Sequence, residues 1–397
     1  MATITKRRWK TGKGEQREAW VLAYTDRQGK RHKEQFSLKR DADAKRVQVE
    51  GQISKGTFRA EAKTKTVKDA IDDYIKHLEK RHRRGEKVTT MYLRNTSGQL
   101  RTHVEPELGD KKLSELTTRS VNDLVDKLKD ADVGIPTVRR VVGALSRALG
   151  YAVGQDWVAT NAAKGVSVIS KRGEGSEKVV PPSKEDYAKI IKAAREWEPE
   201  APKGFGVEAE AKFKARAAEL NDIELRVKFA ASTGLRASEQ WALRWHHLDL
   251  KKRTVTVETR VDAFGDFDTT KSDAGKRTVP MSKALTDELA DRRKKTKAGD
   301  DDFVFPDSAG GFTRHTLFVK RRWNPLVAKA DVKDLGWHAL RHFAVSTWIE
   351  AGLQPKAVQT LAGHATYAIT MNRYGHLFPS ETHADAMDKI AEQLYAH

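Results

Sequence analysis

The spacing of apolar residues changes along this chain, and no single sheet or helical bundle accommodates both spacings. In AWVLAYTDRQGKRHKEQFSL, residues 19–38, apolar and polar side chains alternate on either side of Asp26-Arg27-Gln28-Gly29. A period of two is that of a half-buried strand, so the stretch predicts a hairpin. A third strand around Lys6–Lys10 and a helix over Asp41–Ile53 would complete a small sheet with one covering helix. From Thr66 the period becomes helical: TVKDAIDDYIKHLEK puts Val67, Ala70, Ile71, Tyr74 and Leu78 on one face, with Thr66 as N-cap. Further helices are predicted over Thr89–His103, Thr118–Lys129 and Ile135–Gly154. The last carries Arg139, Arg140 and Arg147 beside a stripe of Val138, Val142, Leu145 and Leu149.

The polar, glycine-bearing segment SKRGEGSEK, residues 170–178, is the best domain boundary, and helices resume beyond it at Lys184–Arg195. Glu208–Leu220 reads as a charge-rich surface helix without an assigned role. A chain of 397 residues is long enough for two or three domains.

Charge limits the partners. The chain holds 74 Lys and Arg against 55 Asp and Glu, for a net charge of +19. Residues 1–65 alone hold 18 basic and 8 acidic side chains. Such a surface attracts polyanions, of which nucleic acid is the commonest, and a basic sheet can lie in a DNA groove. With no cysteine, disulfides, thiolate zinc sites and a thiol nucleophile are excluded. No apolar run is long enough to span a bilayer, and MATITKRRWK lacks the core of a signal peptide, so a soluble, cytoplasmic protein is expected.

The last third is densest in chemistry. In ASTGLRASEQWALRWHHLDL a helix ending at Thr233 stops at Gly234, which can take the left-handed cap conformation and so hold Arg236 at a rigid junction. The residues alone leave open a structural arginine paired with Glu239. RTVTVET (253–259) and KRTVPM (276–281) read as strands, with TTKSDAG as the loop or bent hairpin between them and Lys271 approaching its turn. In GWHALRHFAVSTWIEAG, Leu340, Phe343, Ala344, Thr347 and Trp348 form a buried helical stripe, while His338 and Arg341, three apart, share another face. A helix Pro355–Ala362 then ends at Gly363 and delivers His364. LAGHATYAITMNRYGHLFP places two tyrosines and two histidines in the next few turns.

TGLRASE, TKSDAGKRTVP, HALRH, LAGH and NRYGHLF, in this order and spacing, resemble the catalytic domain of the tyrosine recombinases, the phage-type integrases. Ala362 in LAGH is a minor departure, since many members run Leu-Gly-His directly. The resemblance implies an α+β multidomain protein. Residues 1–62 would be a small β-sheet domain binding arm-type DNA sites, 64–168 a helical core-binding domain, and 169–178 a linker. Residues 179–397 would be a mainly helical catalytic domain with a small β-sheet and a C-terminal tail helix.

The resemblance further implies a catalytic set of Arg236, Lys271, His338, Arg341, His364 and Tyr374. The two arginines would bind the phosphate, Tyr374 would be the nucleophile and Lys271 the general acid to the leaving 5′-oxygen. His338 would accept the tyrosine proton and His364 would hydrogen-bond the phosphate. Tyr367 is assigned to packing and His376 to a structural role. The chemistry agrees: a phosphodiester repels nucleophiles, and two planar guanidiniums supply bidentate positive charge without losing a proton.

The implied function is site-specific recombination through a 3′-phosphotyrosine, integrating or excising a mobile element such as a prophage. No cofactor and no metal are expected. The partners would be double-stranded DNA, a homotetramer on that DNA, and DNA-bending or directionality proteins. Other readings are a resolvase or conjugative-element recombinase with the same chemistry, and a non-catalytic DNA-binding regulator. The tail SETHADAMDKIAEQLYAH would be an amphipathic helix, with Ala386, Ile390 and Leu394 on one face, docked on its own domain or on a neighbouring protomer.

Overall fold

The structure, a computed structural model, describes residues 2–10, 12, 15–26, 29–170, 179–198, 210, 222–269, 275–333, 335–378 and 383–395. The chain forms two compact units, residues 1–174 and 175–397. Among the described residues no helix is long and apolar enough to cross a membrane.

In the first unit, strands β1 (Thr3–Lys10), β2 (Gln16–Thr25) and β3 (Arg31–Phe36) form an antiparallel sheet in that order. β1 begins three residues earlier than the sequence suggested, because Thr3 and Ile4 pair with Ala23 and Leu22. Leu22 and Tyr24 are buried with Val49 of the helix Lys39–Ser54 and with Phe58. Strand alternation sends the odd-numbered residues, among them Arg7, Arg17, Val21, Arg31 and Lys33, to the opposite face.

The remainder of this unit is helical. Thr66 and Asp69 form a reciprocal capping box at the start of helix Val67–Arg83. That helix packs with Thr118–Asp130 and Ile135–Gly154 around Ile71, Leu78, Leu124 and Leu145. Helix Thr90–Gln99 does not stop at His103, as the sequence suggested, but runs through a π turn, Leu100–Val104, into Glu105–Leu108. There the Glu105 N–H donates to the Leu100 carbonyl, five residues back, just ahead of Pro106. A proline cannot donate to the carbonyl four back and its ring collides with it, so the wider turn lets the helix pass the obstacle. The second unit repeats the device: a π turn at Val319–Trp323 directly precedes Asn324-Pro325.

The second unit encloses a core that includes Phe229, Trp241, Trp245, Phe305 and Trp323. Its sheet is β4 (Leu248–Asp249), β5 (Thr254–Val257) and β8 (Arg277–Pro280), with Val255 opposite Val279. Between β5 and β8 lies a separate hairpin, β6 (Thr259–Val261) and β7 (Phe267–Thr269). This corrects the expected single strand over 253–259; the loop or bent hairpin expected at TTKSDAG lies, apart from Thr269 and Gly275, outside the described residues. The hairpin turns at 262–266, where Asp262 Oδ1 accepts from the Phe264 N–H (2.7 Å) and the Asp266 N–H (3.1 Å) and Gly265 takes φ +92°. Lys271 lies outside the described residues, as does the expected helix 208–220 apart from Glu210.

Candidate active site

Two helix ends and the turns that follow them build the site. Helix Ile223–Thr233 ends at Gly234 with φ +60°. A Cβ there would stand 2.8 Å from Trp348 Cη2, so only glycine lets this turn lie against helix Ala339–Glu350. Arg236 follows as the N-cap of the short helix Ala237–Gln240. Its Nη1 donates to Glu239 Oε1 (2.7 Å) and its Nη2 to the Gly363 carbonyl (2.9 Å).

Glu239 is 3% exposed and also accepts from Arg277 Nη2 at 2.8 Å. Burial alone would raise its pKa. The hydrogen bond and charge of Arg277, with the charge of Arg236, outweigh that and hold the carboxyl down at about 2. The pairing of Arg236 with Glu239, which the sequence left as an alternative to a phosphate role, is therefore present. It holds one edge of the guanidinium while 37% of the side chain remains exposed.

Arg341, in the first turn of helix Ala339–Glu350, is buried. Its Nη1 donates to the Gly234 carbonyl (2.6 Å) and its Nη2 to the Ala362 carbonyl (2.5 Å). Burial and then the Arg236 charge lower its pKa to about 9, which leaves it a cation at neutral pH. The expected buried stripe on this helix is partly right. Leu340, Phe343 and Ala344 are buried with Val345 and Ile349, whereas Thr347 and Trp348 are half-buried.

Helix Pro355–Ala362 ends at Gly363, φ +63°, as its sequence predicts. The next residue, His364, lies 2.9 Å through Nδ1 from Thr370 Oγ1, which fixes the ring. Burial, then the charges of Arg341, Arg236, Arg373 and Arg277, lower its pKa to about 3, so the imidazole is neutral. His364 stacks on Tyr374 with ring centroids 6.1 Å apart and planes at 16°.

Tyr374 closes the helix Tyr367–Tyr374 and is wholly buried, packed with Val345, Ile349, Val358 and Ala362. Burial raises its pKa against the opposing charges of Arg341, Arg373 and Arg236. Its hydroxyl lies 2.6 Å from His342 Nδ1. His338, expected to take the tyrosine proton, is the N-cap of helix Ala339–Glu350, which carries His342, and its ring stands edge-on to that of His342 at 4.9 Å. Although the residue is exposed, desolvation by the protein packed around its ring, then His342 and the charges of Arg341, Arg373 and Arg236, lower its pKa to about 4.

The structure thus brings together Arg236, His338, Arg341, His364 and Tyr374. The sequence reading gave His342 no part in the reaction, although its place one turn beyond His338 was a signal, and it passed over the Arg277–Glu239 pair and Thr370. Tyr367 does not pack: it is 47% exposed, because the first residue of its helix faces outward. His376 Nε2 lies 3.2 Å from the Val179 carbonyl. Away from the site, His246, His247 and Glu258 stand at metal-binding distances from one another. However, the Arg244 N–H donates to His247 Nδ1 (3.0 Å), so the neutral ring carries its proton on Nε2, facing Glu258 at 3.4 Å, and has no lone pair for a cation.

The chain is similar to known proteins in sequence and in fold. The chain is 25% identical over 309 residues to a tyrosine recombinase XerC-like protein of Caldanaerobacter subterraneus subsp. tengcongensis, an alignment covering 72% of this chain and 73% of that one. Its fold is similar to the Tn1549 transposon integrase solved with a circular intermediate DNA (TM-score 0.63, 19% identity, 83% of this chain and 99% of that one). It is also similar to the lambda integrase tetramer bound to a Holliday junction (TM-score 0.57, 17% identity, 94% of each chain). The profile of the phage integrase family matches residues 144–381, more than half of the sequence, and the chain therefore belongs to that family of tyrosine recombinases, enzymes that break and rejoin DNA strands.

Proposed function

We propose that Tyr374 is the nucleophile of a site-specific recombination in which Arg236 and Arg341 hold the scissile phosphate. The observation that carries this reading is the position of the Tyr374 hydroxyl. It lies 2.6 Å from His342 Nδ1, on a ring that stacks on His364 and feels the charge of Arg341, whose fork is fixed by the same Ala362–Gly363 turn that anchors Arg236. Guanidiniums fixed on their inner edges by carbonyls and a carboxylate present their remaining N–H groups to an incoming phosphate without reorganising. His364 and His338, neutral at physiological pH, supply N–H donors to its oxygens. Lys271, two residues beyond β7, protonates the leaving 5′-oxygen.

The open face of the β1–β3 sheet, with Arg7, Arg17, Arg31 and Lys33 around Ala19, Val21 and Ala23, suits an arm-type DNA site. The helices of 64–168 suit the core site. Docking of the tail helix His383–Tyr395 on a second protomer is supported by its apolar residues: Met387, Ile390 and Leu394 are 62%, 46% and 64% exposed. The protein would act in the cytoplasm as a tetramer on DNA, integrating or excising a mobile element with DNA-bending or directionality proteins.

Trapping the full chain on nicked candidate sites and mapping the DNA-linked residue tests the reading. Tyr374 should carry the link, and Tyr374→Phe should abolish it while leaving sequence-specific binding intact. A link to any other residue, or one that persists in Tyr374→Phe, would overturn the assignment.

A further inference from the structure

We propose that His342 is the base that takes the proton of Tyr374 as the tyrosine attacks the phosphodiester. The inference rests on the reading of Tyr374 as nucleophile. The phenol is wholly buried, and among the described residues its hydroxyl has one hydrogen-bond partner, His342 Nδ1 at 2.6 Å. A buried phenol must place its proton on an acceptor, so Nδ1 receives it and the neutral imidazole carries its own proton on Nε2. That is the tautomer of a base ready to accept.

His342 lies in the first turn of helix Ala339–Glu350 beside Arg341. The groups facing it are His338, edge-on at 4.9 Å, Arg341 on its own helix, and Arg373 and Tyr374 from the helix Tyr367–Tyr374. Burial, then the charges of Arg373 and Arg341, lower its pKa to about 4, which makes it a weak base while the site holds no anion. A phosphodiester held by Arg236 and Arg341 adds a negative charge beside those cations and favours the imidazolium. Basicity then rises when the substrate arrives, and the tyrosine stays a phenol until it does.

The step balances. Tyr374 Oη forms a bond to phosphorus as the P–O5′ bond breaks, the phenolic proton moves to His342 Nδ1, and the 5′-oxygen takes a proton from the general acid assigned to Lys271. In religation the attacking 5′-hydroxyl gives its proton back to the deprotonated general acid as it displaces the tyrosine, and the His342 imidazolium returns the phenolic proton to the tyrosine.

The test is single-turnover formation of the covalent complex by the full chain on a nicked substrate that traps it. His342→Ala should slow the step by about 100-fold or more, the usual contribution of a positioned base. Added imidazole, or a rate rising about tenfold per pH unit where the native rate is flat, should restore it. His342→Asn puts a carbonyl oxygen where Nδ1 stands, keeping a hydrogen-bond acceptor without basicity, and should be as slow; it also decides the matter if His342→Ala fails to bind DNA. Native rates in His342→Ala, or in His342→Asn, would overturn the proposal, the latter reducing His342 to a positioning contact. So would a slow His342→Ala that neither imidazole nor high pH restores, or imidazole rescue of His338→Ala instead. Tyr374→Phe separates the two claims: an adduct persisting there refutes the nucleophile, whereas a dead Tyr374→Phe beside a fully active His342→Ala refutes the base alone.

Discussion

Glu239→Gln should destabilise the catalytic unit and uncouple much of its stability from acid. The side chain is 3% exposed and lies between Arg277, whose own side chain is 2% exposed, and Arg236. A carboxyl held from 4.5 down to about 2 corresponds to about 3 kcal/mol favouring the charged, folded form at neutral pH. Because the folded pKa is the depressed one, this stability is fully present above the unfolded value near 4.5 and is lost as pH falls toward 2. Removing the charge also leaves Arg277 buried beside Arg236 without its counter-ion, and breaking one side of such a buried pair costs about 3–5 kcal/mol.

Urea unfolding of the full chain followed by tryptophan fluorescence measures the effect. Trp197, Trp241, Trp245, Trp323, Trp337 and Trp348 all belong to the second unit, so that unit dominates the signal. At pH 7 the variant should unfold with at least about 3 kcal/mol less stability than the native protein, and the gap should close as the pH is lowered through 4.5 toward 2, where native Glu239 is itself protonated. A gap under about 1 kcal/mol at pH 7 would refute the claim that this pair anchors the site. A gap that does not change with pH would refute its electrostatic origin.

Arg341→Lys should lower single-turnover cleavage by about 100-fold or more despite the retained charge. An ammonium cannot reach the Gly234 and Ala362 carbonyls and a phosphate together; near-native cleavage would make Arg341 a structural residue. A chain starting at residue 64 should still cleave core sites but lose a binding component whose affinity falls steeply with salt, as gel shifts at 50 and 200 mM salt, the range over which about 10³-fold or more is lost for six or more phosphate contacts, would show. Ending the chain before Ser380 leaves Tyr374 in place, so single-site binding should persist while cooperative binding to paired core sites is lost; undiminished cooperativity would refute docking of the tail on a neighbour.

Local chemistry made much of the architecture legible. Thr66 with Asp69, Gly234 and Gly363 each specify a helix end through one residue's hydrogen bond or left-handed φ, and all three ends fall where the sequence puts them. The β6–β7 hairpin was missed because its turn is organised by a single Asp262 carboxylate, and the β-branched run 253–259 conceals the break at Glu258. The continuing helices at Pro106 and Pro325 were illegible for a related reason: a proline signals a stop, and a π turn that bypasses it has no sequence signature. Within the site, residues matching a pattern could be named. The groups that orient them could not, because Arg277, Thr370 and His342 acquire their partners only through contacts 38, 6 and 32 residues away.

The turn after helix Pro355–Ala362 has a consequence for how the site responds to change. Its two last carbonyls grip different arginines from different parts of the chain, and the next residue is the imidazole that stacks on the tyrosine. Three groups of the proposed site therefore share one mechanical coordinate. A shift of that turn by one ångström would not weaken one contact while sparing the others; it would misplace both cations and the ring together. Competence should then vary in a stepwise rather than graded manner with local displacement, as befits an enzyme for which a strand cut without assured rejoining is a lesion.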